Sequence, residues 1–186
     1  KRGGMNFYSL YRVHNYHFKL YGTMFLGQFL PAMEAARGLK DTVPEELLLQ
    51  KSPPIADWLE SYMGLEIHAL VRFGKWQMLL EKELPEDQDL YCVTTALSYY
   101  GKGIAHANLG DISTAKDIQQ LFEEAIGRIP DTRYMHVVSC LDQMGVAREM
   151  LAGEINYHAG NYDKAFDHLR AAVKKEDPLP YDEALG

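Results

Sequence analysis

Gly160-Asn161-Tyr162-Asp163-Lys164-Ala165 closes one helix-period segment and opens another. The pattern is a glycine, any residue, a bulky apolar residue, and a small or apolar residue three positions later. It recurs as Gly27-Gln28-Phe29 with Ala32, as Gly74-Lys75-Trp76 with Leu79, and as Gly110-Asp111-Ile112 with Ala115. Beyond the last copy, Tyr162, Ala165, Phe166, Leu169 and Val173 fall at i, i+3, i+4, i+7 and i+11, one face of a 3.6-period helix. Recurrence at tens of residues marks a stacked array of helix pairs. The predicted fold is therefore all-α, an α-solenoid of antiparallel helix pairs with about four repeats. It forms one domain over residues 1–186, with units at 6–40, 56–82, 90–127 and 132–175.

Outward from the motif, Asn6 to Leu26 is periodic and aromatic, and Gly27 ends it. Phe29 to Lys40 reads as its shorter partner, with Pro31 in the first turn, where proline is tolerated. Thr42 to Ile55, with Pro44, Pro53 and Pro54, reads as an insert holding one turn of helix. Ala56 to Phe73 reads as the next long helix and Trp76 to Lys82 as its partner, before an acidic turn around Pro85. Leu90 to Leu109 and Ile112 to Ile126 make the third pair, with Asp111 as N-cap. After Pro130-Asp131, Thr132 to Ala159 reads as one long helix, or a short one followed by a long one. Asn161 caps the last helix, Tyr162 to Lys175. No segment alternates strictly with β-branched residues, so no sheet is expected.

The fourth unit, Met150 to Ala172, resembles a tetratricopeptide repeat. Gly153, Ala165 and Ala172 match that family's small positions, and Pro178 its terminal proline. The third unit keeps Gly103 and Ala115 but has Phe122 at the later small position. The first two units keep the turn glycine and aromatic, with Leu20 and Ile67 at the first small position and Leu79 for alanine in the second. The turn glycines at 27, 74, 110 and 160 stand 47, 36 and 50 apart. The family period is about 34. Two linkers therefore carry inserts, Thr42–Ile55 and Ile129–Cys140. His14-Asn15-Tyr16-His17-Phe18, Leu70 to Trp76 and Leu179-Pro180-Tyr181-Asp182-Glu183 are similar to uncharacterised bacterial-type tetratricopeptide proteins, which continue with further repeats. The resemblance implies a right-handed superhelix whose concave groove binds protein or peptide. It implies no activity.

Hydrophobic residues make up 47% of the chain, which excludes global disorder. A net charge of −7 argues against nucleic acid, whose phosphates need clustered Lys and Arg. No run of about 18 apolar residues exists, so no membrane partner is expected. Cys92 and Cys140 form no CxxC and read as buried free thiols in a reducing, cytoplasmic setting. The chain begins without Met and stops just past a helix, which suggests part of a longer array. Phe166, Leu169 and Val173 would then form an exposed apolar end, or one covered by self-association.

In tetratricopeptide arrays the first helix of each pair lines the groove. Positions 13, 10, 6 and 2 before each turn glycine make one stripe. The first unit gives His14, His17, Tyr21 and Phe25, and the second gives Ser61, Gly64, His68 and Arg72. The third gives Leu97, Tyr100, Ile104 and Asn108, and the fourth Ala147, Met150, Glu154 and His158. The candidate partner-binding groove is therefore His14, His17, Tyr21, His68, Arg72, Tyr100, Asn108, Glu154 and His158. Aromatic rings supply contact area for an extended peptide, and Arg and Asn fix its polar groups. The competing reading packs the tyrosines and some histidines between repeats. His14 and His17, at i and i+3, would supply only half of a zinc or copper site, so no metal or cofactor is assigned. Glu154 and His158, at i and i+4, read as a surface hydrogen bond, because no nucleophile or oxyanion donor accompanies them. The cysteines lack a basic neighbour in sequence, and no GxGxxG, Walker, HExxH or GxSxG motif occurs. His106 reads as packed and hydrogen-bonded. The expected function is a non-enzymatic binding scaffold. A metal- or small-molecule-binding domain with a His-lined groove is the alternative.

Overall fold

The computed structural model describes residues 7–180. The start of the first unit at Asn6 and the Tyr181-Asp182-Glu183 stretch lie outside these residues. The described residues are mostly helical, with adjacent helices packed as pairs. Helix α1 (Phe7–Phe25) packs on α2 (Phe29–Thr42), and α3 (Glu45–Leu48) lies in the first insert. Then come α4 (Ala56–Leu59), a 3₁₀ segment (Glu60–Gly64), α5 (Leu65–Arg72) and α6 (Trp76–Glu81). Helix α7 (Cys92–Asn108) packs on α8 (Ile112–Ile126), and α9 (Cys140–His158) on α10 (Tyr162–Glu176). Each pair touches the next: α2 meets α5, α6 meets α7, and both α7 and α8 meet α9.

All four turn glycines adopt positive φ, from 61° at Gly74 to 85° at Gly110. Each ends its helix with the same two bonds. The glycine N–H donates three residues back, as Gly160 does to the Tyr157 carbonyl at 3.0 Å. The next N–H donates five back, at 2.9 Å in every case: Gln28 to Thr23, Lys75 to Leu70, Asp111 to His106 and Asn161 to Asn156. This is the Schellman geometry, which satisfies carbonyls orphaned at a helix end and demands a left-handed residue. The motif thus recurs because one backbone conformation recurs.

Small residues sit where helices cross. Ala115 and Ala165 are fully buried. A Cβ on Gly103 would lie 2.8 Å from Leu151 Cδ1, and one on Gly153 2.7 Å from Leu169 Cδ2. The bulky substitutes are also core: Leu20, Ile67, Leu79 and Phe122 are each no more than 1% exposed.

Four expectations need correction. The predicted helix Ala56–Phe73 is interrupted by a 3₁₀ segment at Glu60–Gly64. Thr132 to Ala159 is neither of the helical alternatives. Residues 134–139 form a small antiparallel hairpin, pairing β1 (Tyr134–Met135) with β2 (Val138–Ser139), and α9 begins only at Cys140. A sheet therefore exists, although neither strand exceeds two residues. Asn161 stands at the N-cap of α10 without a side-chain cap bond, whereas Asp111 Oδ1 accepts the Thr114 N–H at 3.2 Å.

Glu60 explains the first two departures. It is fully buried, and its carboxylate accepts the Val93 N–H at 3.2 Å, the Thr94 N–H at 2.9 Å and the Thr94 hydroxyl at 2.7 Å. It therefore caps α7 from a different element, where a carboxylate is favoured by orphan amides and the helix dipole. Arg133 closes the cluster. It donates to Asp57 Oδ1 at 2.8 Å, to the Leu90 carbonyl at 3.1 Å and to Cys92 Sγ at 3.4 Å, and lies 3.8 Å from Glu60. Ser61 donates to the Tyr134 carbonyl at 3.2 Å. A basic neighbour to Cys92, absent in sequence, is thus present in space. Burial still pushes both thiols up, Cys140 to about 12, so neither is activated.

Of the three residues expected at an apolar end, Phe166 and Val173 are exposed, whereas Leu169 is half-buried against Gly153. Tyr162 is 55% exposed and Phe166 44%, with Tyr157 and Val173 also open.

Gly160 has no neighbour within 4 Å of an added Cβ, so its substitution isolates the backbone term. Gly160→Ala is expected to lose about 1 kcal/mol in urea unfolding, and Gly160→Asn less. Arg133→Met leaves Glu60 buried beside no cation and should lose on the order of 3 kcal/mol by the same measurement.

Candidate functional site

The stripe on α1 opens into a cleft of about 770 Å³. Helix α1 supplies one wall with His14, His17, Phe18, Tyr21 and Phe25. The 3₁₀ segment adds Tyr62, and the hairpin and the first turns of α9 add Met135, His136, Val137, Val138 and Gln143. The far wall is the end of α10 and the chain after it: Glu176, Asp177, Leu179 and Pro180. The cleft therefore lies between segments about 160 residues apart in sequence, counted from His17 to Asp177.

The rings are ordered edge to face. His17 lies 4.9 Å from Tyr21 and 5.4 Å from Tyr62, both at near-perpendicular angles. His14 lies 4.5 Å from Phe18 with the two rings tilted by 46°. Such pairs fix side chains that would otherwise rotate. Phe18 and Tyr21 nevertheless keep 54% and 42% of their surface open. Opposite them His136 holds φ at 57°, a left-handed conformation uncommon outside glycine. It stands at the hairpin tip, where a tight two-stranded turn needs such a residue.

His17 is the most perturbed group of the cleft. Burial, then the neighbouring His14, His68 and His136, lower its pKa to about 4. Its Nε2 is buried without a hydrogen-bond partner. A neutral imidazole tolerates that position and a cation does not. Burial also lowers the pKa of His68. Burial raises the Tyr21 phenol, with Glu176 adding to the effect, and burial first also raises Tyr62.

The predicted stripe is divided. His14, His17 and Tyr21 line the cleft together, with His68 close enough to act on His17. Arg72 stands apart, exposed at the end of α5. The middle of the stripe is consumed by packing. Leu97, Tyr100 and Ile104 are buried, with Tyr100 6.1 Å from the Phe122 ring, so Tyr100 lines no open groove. Asn108 donates to the Ile104 carbonyl at 3.0 Å and approaches Glu154 at 3.4 Å, and His158 Nε2 lies 3.5 Å from Glu154. These three form a separate polar strip on α7 and α9. His106, half-buried, lies 3.3 Å from Asp111.

Tyr62, His136, Glu176 and Asp177 were missed by counting back from the glycines. Only the insert around Ile129–Cys140 carried a signal, as the second break in the repeat spacing. Among the described residues no group of three or more His, Cys, Asp or Glu is placed to share a metal ion. No helix among them is long and apolar enough to cross a membrane.

No family model, curated protein or solved structure matches this chain.

Because the folded-state pKa of His17 lies below that of the unfolded chain, the folded state binds fewer protons between pH 6.5 and 4. Stability is complete above pH 6.5 and declines as the pH falls toward 4. Urea unfolding at stepped pH should show this slope, and His17→Asn should flatten it.

Proposed function

We propose that the chain is a non-enzymatic, tetratricopeptide-like helical-repeat scaffold that holds an extended peptide of a protein partner in the cleft beside α1. The observation that carries this reading is the cleft itself. It is an open trough lined by exposed aromatic rings of α1, by the hairpin and by the end of α10. Rigid aromatic side chains give contact area at low entropic cost, and an extended segment fits between them. Four Schellman turns of identical geometry and successive packed pairs support a repeat array. The two free buried thiols support a reducing, cytoplasmic setting.

The site is proposed to be smaller than the full stripe. His14, His17 and Tyr21 remain in it, joined by Phe18, Tyr62 and His136. The polar strip of Asn108, Glu154 and His158 is a secondary contact for a longer peptide. A second reading takes support from the cleft volume, which lies in the range of small-molecule sites, about 300–1,000 Å³.

Selection of peptide binders from a random heptapeptide library tests the first reading. Phe18→Ala and Tyr21→Ala together should weaken the selected binders by about tenfold or more, because exposed aromatic anchors dominate such contacts. The melting temperature should change little, since both rings are substantially exposed. Binders indifferent to both changes would place the site elsewhere.

A further inference from the structure

The charges around the cleft are one-sided. Among the described residues its lining contains no Lys or Arg. The two formally charged side chains that face it are Glu176 and Asp177, and among the described residues neither makes an ion pair. Lys174 and Lys175 precede them on α10 but do not line the cleft. The same cleft is lined by the exposed rings of Phe18, Tyr21 and Phe25, the last 80% exposed. Among the described residues, cation–π contacts form elsewhere. Lys75 lies 4.7 Å over Phe29, and Arg170 5.9 Å over Phe166.

Resting on the peptide-scaffold reading, we propose that the cleft selects a basic side chain, an arginine or lysine of an extended peptide, held between the α1 aromatic rings and the Glu176 and Asp177 carboxyl groups. Three features converge on a cation. Aromatic faces attract one through their quadrupole, arginine more often than lysine. Unpaired carboxylates attract one by charge. His17 does not oppose it, because burial holds its pKa at about 4 and keeps it neutral near pH 7. An acidic peptide would instead meet two like charges and, among the described lining residues, no Lys or Arg. The chain's net charge of −7 favours encounter with a basic partner over an acidic one. The apolar hairpin wall, Met135, Val137 and Val138, accommodates the aliphatic stem that carries such a charge.

The full 186-residue chain can be tested with the same heptapeptide library. Selected sequences should carry Arg or Lys beside apolar residues. Replacing that basic residue by Gln should weaken binding by about tenfold or more. Glu176→Gln with Asp177→Asn should produce a similar loss on the basic peptide and none on its Gln analogue. Both positions are exposed, so folding is not at stake. Three results overturn the proposal and leave the peptide-scaffold reading standing: selected binders without a basic residue, basic binders indifferent to the double variant, or a preference for acidic sequences. Arginine amide that competes as well as the whole peptide would assign the cleft to small amines and overturn the proposal. Binders insensitive to Phe18→Ala and Tyr21→Ala, or no binders at all, would overturn the scaffold reading and this inference with it.

Discussion

The Glu60 carboxylate sits on the first amides of α7, and the fold is organised around that contact. A repeat array needs only apolar faces and small residues at its crossings. This chain adds two inserts whose backbone must be fixed by something other than repeat packing. Glu60, a few residues past the first, fixes the 3₁₀ segment that follows it, since its carboxylate must stay within reach of Val93 and Thr94. Arg133 fixes the second, because its guanidinium bridges Asp57, the Leu90 carbonyl, Cys92 and Glu60. A buried carboxylate is costly alone; here four donors to it and a nearby cation offset the desolvation that still raises its pKa.

That cluster reaches the cleft through a short path. Cys140 donates its N–H to the Arg133 carbonyl at 3.0 Å, closing the base of the hairpin, and Ser61 holds Tyr134. The hairpin tip is thereby carried to the α1 stripe, with Tyr62 from the 3₁₀ segment beneath. The concave stripe of an ordinary array would run open across all four pairs. Here Leu97, Tyr100 and Ile104 are covered, and the open surface is concentrated at α1. The packing reading therefore holds over the middle of the stripe, while its α1 residues line an open cleft.

The helix pairs were legible because their signals are local. A glycine at a Schellman turn, an apolar residue after it and a small residue at the crossing all lie within about six positions. Helix ends at Gly27, Gly74, Gly110 and Gly160 follow directly. The first insert was legible as a proline-rich stretch with one turn of helix, found at Glu45–Leu48, and the second only as irregular spacing. Their structure depends on Glu60 meeting amides more than thirty residues away and on Arg133 meeting Asp57 across 76 residues. No periodicity reports such pairs. The cleft was half legible for the same reason. His14, His17 and Tyr21 share a helical face, whereas Tyr62, His136, Glu176 and Asp177 arrive by long-range packing. Tyr100 fell on the stripe by register, but it is buried with its ring 6.1 Å from the fully buried Phe122.

Amide hydrogen exchange on the native chain and on Arg133→Met tests the dependence of the cleft on the buried cluster most directly. Protection should fall together in the hairpin at 134–139 and in the first turn of α7, while α9 and α10 keep theirs, because local opening follows the contacts that hold a segment. Unchanged protection of the hairpin in the variant would contradict the account, and would mean that the cleft wall is held by repeat packing alone.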